Sequence, residues 1–137
     1  MRVFKALFSI SYFLLLFYAV FLAPRRLYVS ERFLNIIPVT NTIRSYHYFK
    51  NNNQLYHFYS NLFGNFLLLI PFSFFLISVV GLESNRSIFF WTLSVSFAIE
   101  VIQLSFKRGV ADIDDVILNI LGALLATTLY KKIRLKI

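Results

Sequence analysis

Four long apolar stretches dominate this sequence and constrain its fold more than any other feature. They cover about residues 4–23, 61–80, 88–106 and 113–130. At 1.5 Å per residue, an α-helix of about 20 residues crosses the ~30 Å hydrocarbon core of a bilayer. The 137 residues are 58% hydrophobic with a mean hydropathy of +0.69, too apolar for a soluble domain of this size. We predict an all-α integral membrane four-helix bundle, a single domain over residues 1–137.

The first stretch has two interpretations. Arg2 and Lys5 near its start would suit a secretory signal peptide. However, its apolar region is long for a signal, and the exit through residues 19–23 lacks a clean pair of small residues. We favour an uncleaved anchor that ends before Pro24.

A long polar loop separates the first and second spans. Residues 26–59 contain three consecutive asparagines at 51–53 and both histidines, which we interpret as ordinary loop residues. Its apolar part, residues 33–39, could form a short amphipathic helix at the membrane interface. A loop of this length is often functional, and it could fold over the neighbouring polar residues as a lid.

Charge placement argues against nucleic-acid binding despite a formal net charge of +8. The basic residues lie in loops and at the carboxyl-terminal tail, as in membrane anchors, and no basic stripe is visible. With both termini on one side, seven basic residues lie on each face. The charges on the side of the termini lie closer to the span ends, which favours cytoplasmic termini. No cysteine is present, so disulfides and thiolate metal sites are excluded.

Polar side chains gather where three predicted spans meet one face of the membrane. Because consecutive spans alternate in direction, the start of the second, the end of the third and the start of the fourth lie on the same side. This holds whichever way the chain is oriented. We define the polar cluster as Asn61, Asn65, Glu100, Gln103, Arg108, Asp112, Asp114, Asp115 and Asn119.

Helix capping accounts for part of this cluster. Asn61, Asp112 and Asp114 could each be N-caps, and Arg108 could pair with Asp112 across the turn. Glu100 lies roughly 9 Å inside its span, where a carboxylate costs several kcal/mol unless it is paired or hydrated. Glu100 and Gln103 therefore predict either an interhelical hydrogen-bond network, with Asn65 or Asn119 as a partner, or a ligand or catalytic site.

The spacing of these residues resembles that of the VanZ-like family. The segment Asn61-Leu-Phe-Gly-Asn65 with Pro71 is similar to the family's N-x-x-G-N…P motif. The similarity continues through Glu100-x-x-Gln103, Arg108 and Asp112-x-Asp114-Asp115-x-x-x-Asn119-x-x-Gly122, so that it covers about residues 55–130. Family members often carry a glycine shortly after the proline, where this chain has Phe72-Ser-Phe74. The resemblance implies a multi-pass protein of a bacterial cell membrane. The family's namesake is associated with resistance to teicoplanin-like lipoglycopeptides in Gram-positive bacteria.

The first functional hypothesis is a cell-envelope protein that contributes to teicoplanin and lipoglycopeptide resistance. It would bind an envelope lipid or a lipid-linked precursor at the outer face, where Lys107 and Arg108 would contact phosphate. The candidate ligand-binding residues are Asn61, Asn65, Glu100, Gln103, Arg108, Asp112, Asp115 and Asn119.

Two alternatives remain open. The chain could be an intramembrane enzyme acting on a lipid-linked phosphate or glycan, with Glu100 as the candidate general acid or base. Asp112 and Asp115 could then hold a divalent cation such as Mg²⁺, although no nucleophile is evident and no other cofactor is predicted. Alternatively, the cluster only joins helices within a structural partner subunit.

Overall fold

The described part of the chain is almost entirely helical. The computed structural model describes residues 2–22, 34–106 and 111–134. The elements follow in the order α1 (Arg2–Phe17), β1 (Leu34–Asn35), α2 (Thr40–Asn51), α3 (Leu55–Leu68), α4 (Ile70–Phe75), α5 (Asn85–Ser105), β2 (Ala111–Asp112) and α6 (Ile113–Arg134). Short π-helical turns extend α1 through Tyr18–Leu22 and α4 through Leu76–Val80.

Four helical segments are long and apolar enough to cross a membrane, as predicted. They are Val3–Leu22, Leu55–Val80, Asn85–Ser105 and Ile113–Arg134. The second begins at Leu55 and not near residue 61, because a first turn rich in aromatic side chains suits the membrane interface. The fourth continues past residue 130, since its basic last turn can remain helical among lipid headgroups.

The second span is divided at Leu69, where α3 ends and α4 begins. Pro71 lies in the first turn of α4. A proline has no backbone N–H to bond to the preceding turn, so an interruption just before it is the expected result. The interruption lies inside the bundle, where Leu69 is fully buried.

A close helix contact lies between α3 and α6. A Cβ atom added to Gly122 would lie 1.8 Å from the backbone oxygen of Phe66, so a glycine is required for the helices to approach this closely. Ala123 and Ala126 of α6 are also buried. This small-residue surface lets α6 pack tightly against the second span, as is common in membrane bundles.

Helix α1 lies at the edge of the bundle. Its span is 11% buried, against 33–44% for the other three. It is attached on the side of the second span, where the Tyr12 hydroxyl donates to the Leu68 oxygen at 3.1 Å. The rings of Phe13 and Phe75 add an edge contact with centroids 5.2 Å apart. Most of the surface of the first span therefore lies outside the bundle.

The loop between the first two spans contains regular structure in its described part. We predicted a short helix at residues 33–39, and this is wrong for the described residues 34–39. There the chain forms β1, which pairs in parallel with β2, and a turn. The helix of this loop is α2, which begins at Thr40 and packs beside α3. We call residues 34–51, which comprise β1, the turn and α2, the strap.

We expect Gly122→Ala to destabilise the bundle by about 3 kcal/mol, because the added methyl group would force α3 and α6 apart. Thermal unfolding in detergent, followed by near-ultraviolet circular dichroism, measures the change. Leu125→Ala is the control, since Leu125 lies on the same helix but is 51% exposed. Equal stability of the two variants would contradict the close contact.

Candidate functional site

Asp112 attaches the strap to the start of α6. Its Oδ1 atom accepts a hydrogen bond from Asn35 Nδ2 at 2.8 Å, and its Oδ2 atom accepts one from Asn41 Nδ2. Oδ1 also accepts the backbone N–H of Asp114 at 3.0 Å, as a helix cap does. The predicted capping role of Asp112 is therefore confirmed, and the same carboxylate also bonds two asparagines of the strap.

Asp114 lies inside α6, so its predicted role as the N-cap of that span is wrong; its carboxylate caps α2 instead. Its Oδ1 atom accepts the backbone N–H of Val39 at 2.6 Å, and its Oδ2 atom accepts the Thr42 hydroxyl at 2.6 Å and the Thr42 N–H at 3.3 Å. Val39 is the N-cap residue of α2, and its own side chain makes no capping hydrogen bond. A carboxylate at this position compensates both the open N–H groups and the positive end of the helix dipole.

The backbone at Val39 adopts a left-handed conformation with φ of 67°. A β-branched residue is rarely found there, and such strain costs on the order of 1–3 kcal/mol. Neighbouring contacts must hold the turn in place. The bond from the Val39 N–H to Asp114 is a direct contact of this kind.

Glu100 lies beneath the contacts that attach the strap to Asp112 and Asp114. Its Oε2 atom accepts the backbone N–H of Asp112 at 3.1 Å, so α5 is linked to the segment that begins α6. Glu100, Gln103 and Asp115 are all buried, and each takes part in further interactions. Glu100 is therefore hydrogen-bonded between elements, through the backbone of Asp112 just before α6. The carboxylate is held in a defined orientation.

A line of buried polar side chains continues along α5, away from the membrane face that carries the polar cluster. Thr92, Ser96, Glu100 and Gln103 are spaced by four, four and three residues, so they share one helix face. The Ser96 hydroxyl accepts a hydrogen bond from Asn119 Nδ2 at 2.9 Å, which joins α5 to α6. Sequence reasoning identified Glu100 and Gln103 but missed the small hydroxyl residues, although the helical spacing would have indicated them.

Asn65 and Asn119 lie at similar depths on neighbouring helices. Both α3 and α6 begin at the face of the polar cluster, and they meet where Phe66 contacts Gly122. Asn65 precedes this contact by one residue and Asn119 by about one turn. The two residues are 3% and 1% exposed. Among the residues that the structure describes, Asn65 Nδ2 and Asn119 Oδ1 have no hydrogen-bond partner.

The structure brings most of the predicted site residues into one buried region. Asn61 is the exception: it lies inside α3 and is exposed, so its predicted role as an N-cap is wrong. Lys107 and Arg108, with the predicted pair of Arg108 and Asp112, lie outside the described residues. The buried members are Asn65, Glu100, Gln103, Asp112, Asp114, Asp115 and Asn119.

The strap adds site residues that the sequence did not indicate. Asn35, Asn41 and Thr42 contact the polar cluster through their side chains, across more than 70 residues of chain. The strap therefore contacts the polar cluster, where we suggested a lid. A local pattern could not have identified these partners, because each contact depends on how distant segments pack.

Two carboxylates of the cluster, those of Asp112 and Asp114, accept hydrogen bonds from the strap. Within residues 2–22, 34–106 and 111–134, no group of three or more histidine, aspartate or glutamate side chains is arranged to hold a metal ion. Both oxygens of Asp112 already accept hydrogen bonds. This geometry gives Asp112 a role in attaching the strap.

Comparison with protein families supports the resemblance found in the motifs. A family model described as VanZ/LLP1 matches residues 8–135. The match extends beyond the motif-bearing residues 55–130 to include most of α1 and the whole strap. Comparisons with curated proteins and with solved structures find no match.

We expect Asp114→Ala to release the first turn of α2 from α6. Hydrogen bonds to a charged acceptor contribute about 1.5–3 kcal/mol, so amide exchange at Val39 and Thr42 should accelerate roughly 10- to 100-fold. Hydrogen–deuterium exchange with mass spectrometry measures the change. Glu83→Ala, an exposed acidic residue on the opposite side, is the control. Unchanged protection of Val39 and Thr42 would show that Asp114 does not hold the strap.

Proposed function

Because the chain belongs to the VanZ/LLP1 family and is a multi-pass membrane protein, we propose that it contributes to resistance against teicoplanin-like lipoglycopeptides. It does so by binding the polar headgroup of an envelope lipid or of a lipid-linked precursor at the buried polar cluster. The association of the family's namesake with this resistance supports the biological context.

The proposal rests on two buried amide atoms that have no hydrogen-bond partner among the described residues. Asn65 Nδ2 is a hydrogen-bond donor and Asn119 Oδ1 is an acceptor. Buried polar groups are rarely left without a bond, because the loss costs about 1–3 kcal/mol. A ligand that carries hydroxyl or amide groups can satisfy both atoms. Sugars, peptides and glycerol headgroups have these groups.

The strap controls access to the cluster from the membrane face. Its side chains attach to the cluster through hydrogen bonds to Asp112 and Asp114, while an aromatic contact joins α2 to α3, where the Tyr46 and Phe58 ring centroids lie 5.5 Å apart. A polar headgroup can replace the hydrogen bonds with its own at little cost. The strap therefore moves aside when the ligand enters and closes again on the bound headgroup.

The cluster faces the outside of the cell in this proposal. Each face carries seven basic residues, but those of the opposite face lie closer to the span ends, which favours its cytoplasmic location. There, five basic residues and one acidic residue lie near the span ends: Lys5, Arg86, Lys131, Lys132, Arg134 and Glu83. An outward cluster meets envelope lipids and precursors on the side where lipoglycopeptides act.

We expect Asn65→Leu to separate function from stability. Leucine removes a donor that has no described partner, so the free energy of unfolding should stay within about 1 kcal/mol of the wild type. If the donor binds a ligand, affinity should fall about tenfold and the strain should become more sensitive to teicoplanin. The measurements are the minimum inhibitory concentration, the protein level in the membrane and thermal stability.

Leu125→Ala is the matched control, because this side chain faces away from the cluster. Wild-type sensitivity of a strain producing normal levels of Asn65→Leu would contradict the proposal. The strain lacking the gene defines full loss of function. If that strain also shows wild-type sensitivity, the resistance role itself is refuted.

Glu100→Gln tests whether the charge of Glu100 is needed. The amide oxygen of glutamine can still accept the Asp112 N–H, so the local structure should be retained. We expect reduced resistance at normal protein level, because a headgroup donor would then meet a neutral and weaker acceptor. The same sensitivity readout with a membrane-fraction immunoblot measures this. Full resistance, with a change only in thermal stability, would favour the structural alternative.

A further inference from the structure

An apolar groove lies between α1 and α5. Its volume is about 270 Å³. One wall includes Phe17 and Phe21, whose ring centroids are 5.0 Å apart, and the other includes Val95, Ala98 and Ile102. The lining residues are all apolar. A headgroup cannot bind in such a groove, but a hydrocarbon chain can.

The groove lies in the same half of the bilayer as the polar cluster. On the first span its lining ends at Phe21, next to the last described residue of that span, and on α5 it ends at Ile102, near Ser105. Both ends lie at the face that carries the cluster. The lining on α5, from Val95 to Ile102, extends about 10 Å along the helix, within a leaflet of about 15 Å of hydrocarbon.

Helix α5 connects the two features directly. Ile99 and Ile102 line the groove, while Glu100 and Gln103, each the next residue in the chain, belong to the buried polar cluster. Successive helix residues differ by about 100° in direction, so the groove and the cluster occupy adjoining faces of the same two turns. A single lipid molecule can therefore reach both.

We propose that the groove binds one acyl chain of a glycerophospholipid whose headgroup enters the polar cluster. This inference rests on the proposed function and names its ligand class. A cavity of 150 Å³ holds one benzene molecule, so 270 Å³ accepts roughly ten carbon atoms of a chain.

The surroundings also favour this occupant. The groove opens on the surface that the four spans expose to hydrocarbon, where acyl chains are already present at high concentration. Water would be a poor occupant, since the lining offers no polar partner. When the acyl chain is bound beside the cluster, the headgroup is already held near Glu100. Binding of the headgroup then carries no second entropic cost of association.

Filling the groove provides the test. Ala98 is exposed within the groove, so Ala98→Phe places a ring in open space without disturbing the buried core. Ala6→Phe is the matched control, because Ala6 is also exposed but lies near the other end of α1. Each protein is reconstituted in vesicles of phosphatidylglycerol, phosphatidylethanolamine and a polyprenyl-pyrophosphate lipid. It is then extracted in mild detergent and weighed by native mass spectrometry.

We expect the wild type and Ala6→Phe to retain one glycerophospholipid per chain, and Ala98→Phe to retain at least tenfold less. Equal retention by Ala98→Phe and the wild type, or no retained lipid in the wild type, would overturn the groove assignment. Retention of the polyprenyl lipid instead would overturn the choice of ligand. Val95→Phe, which fills the same groove from another position, must behave as Ala98→Phe does.

Teicoplanin sensitivity distinguishes failure of this inference from failure of the proposed function. If Asn65→Leu sensitises the strain while Ala98→Phe keeps its lipid, the cluster functions without the groove. If Ala98→Phe loses the lipid but neither variant changes sensitivity, the groove is a lipid site and the resistance role is wrong.

Discussion

The attachment of the strap to two aspartates at the start of α6 organises the face of this protein that carries the polar cluster. Carboxylates at the edge of hydrocarbon are costly unless hydrogen-bonded donors surround them. Asp112 and Asp114 obtain these donors from Asn35, Asn41, Val39 and Thr42 of the strap, and Asp112 gives its own N–H to Glu100. The same bonds that satisfy the aspartates position α2, cover the cluster and orient Glu100. The cap of α2, the orientation of Glu100 and the closed face therefore depend on one another.

Neighbouring residues on α5 have two different surroundings. Glu100 and Gln103 face the interior, where α6 supplies Asn119 and the strap closes the end. Ile99 and Ile102 border the groove against α1. The first span is attached to the second through Tyr12 and Phe13 and to α5 through its end at Tyr18–Leu22, yet it is only 11% buried. The loose packing of the first span thus leaves room for the groove, whereas α3 and α6 pack too tightly to leave such a space.

The sequence predicted the spans and the location of the cluster because both depend on short-range patterns. Runs of apolar residues define the helices, and alternation of the spans brings Asn65, Glu100 and Asn119 to one side. The strap contacts could not be predicted, since Asn35 and Asp112 are 77 residues apart and nothing local connects them. The role of Asp114 was missed for the same reason: its partner is the start of α2, a helix too polar to be recognised by hydropathy. The position of Asn61 was mistaken because the helix begins earlier than its apolar stretch.

The parallel pairing of β1 with β2 imposes an order on biosynthesis. Leu34 pairs with Ala111, so β1 must wait until most of the chain has been translated. At 5–20 residues per second, synthesis of the 77 residues between Asn35 and Asp112 takes roughly 4 to 15 s. During that interval the first two spans can enter the bilayer, but the strap has neither of its aspartate partners. Asn35, Asn41 and Thr42, which later bond to Asp112 and Asp114, are all polar residues that water can solvate until then. Closure of this face therefore follows the synthesis of β2, after α5 has been made.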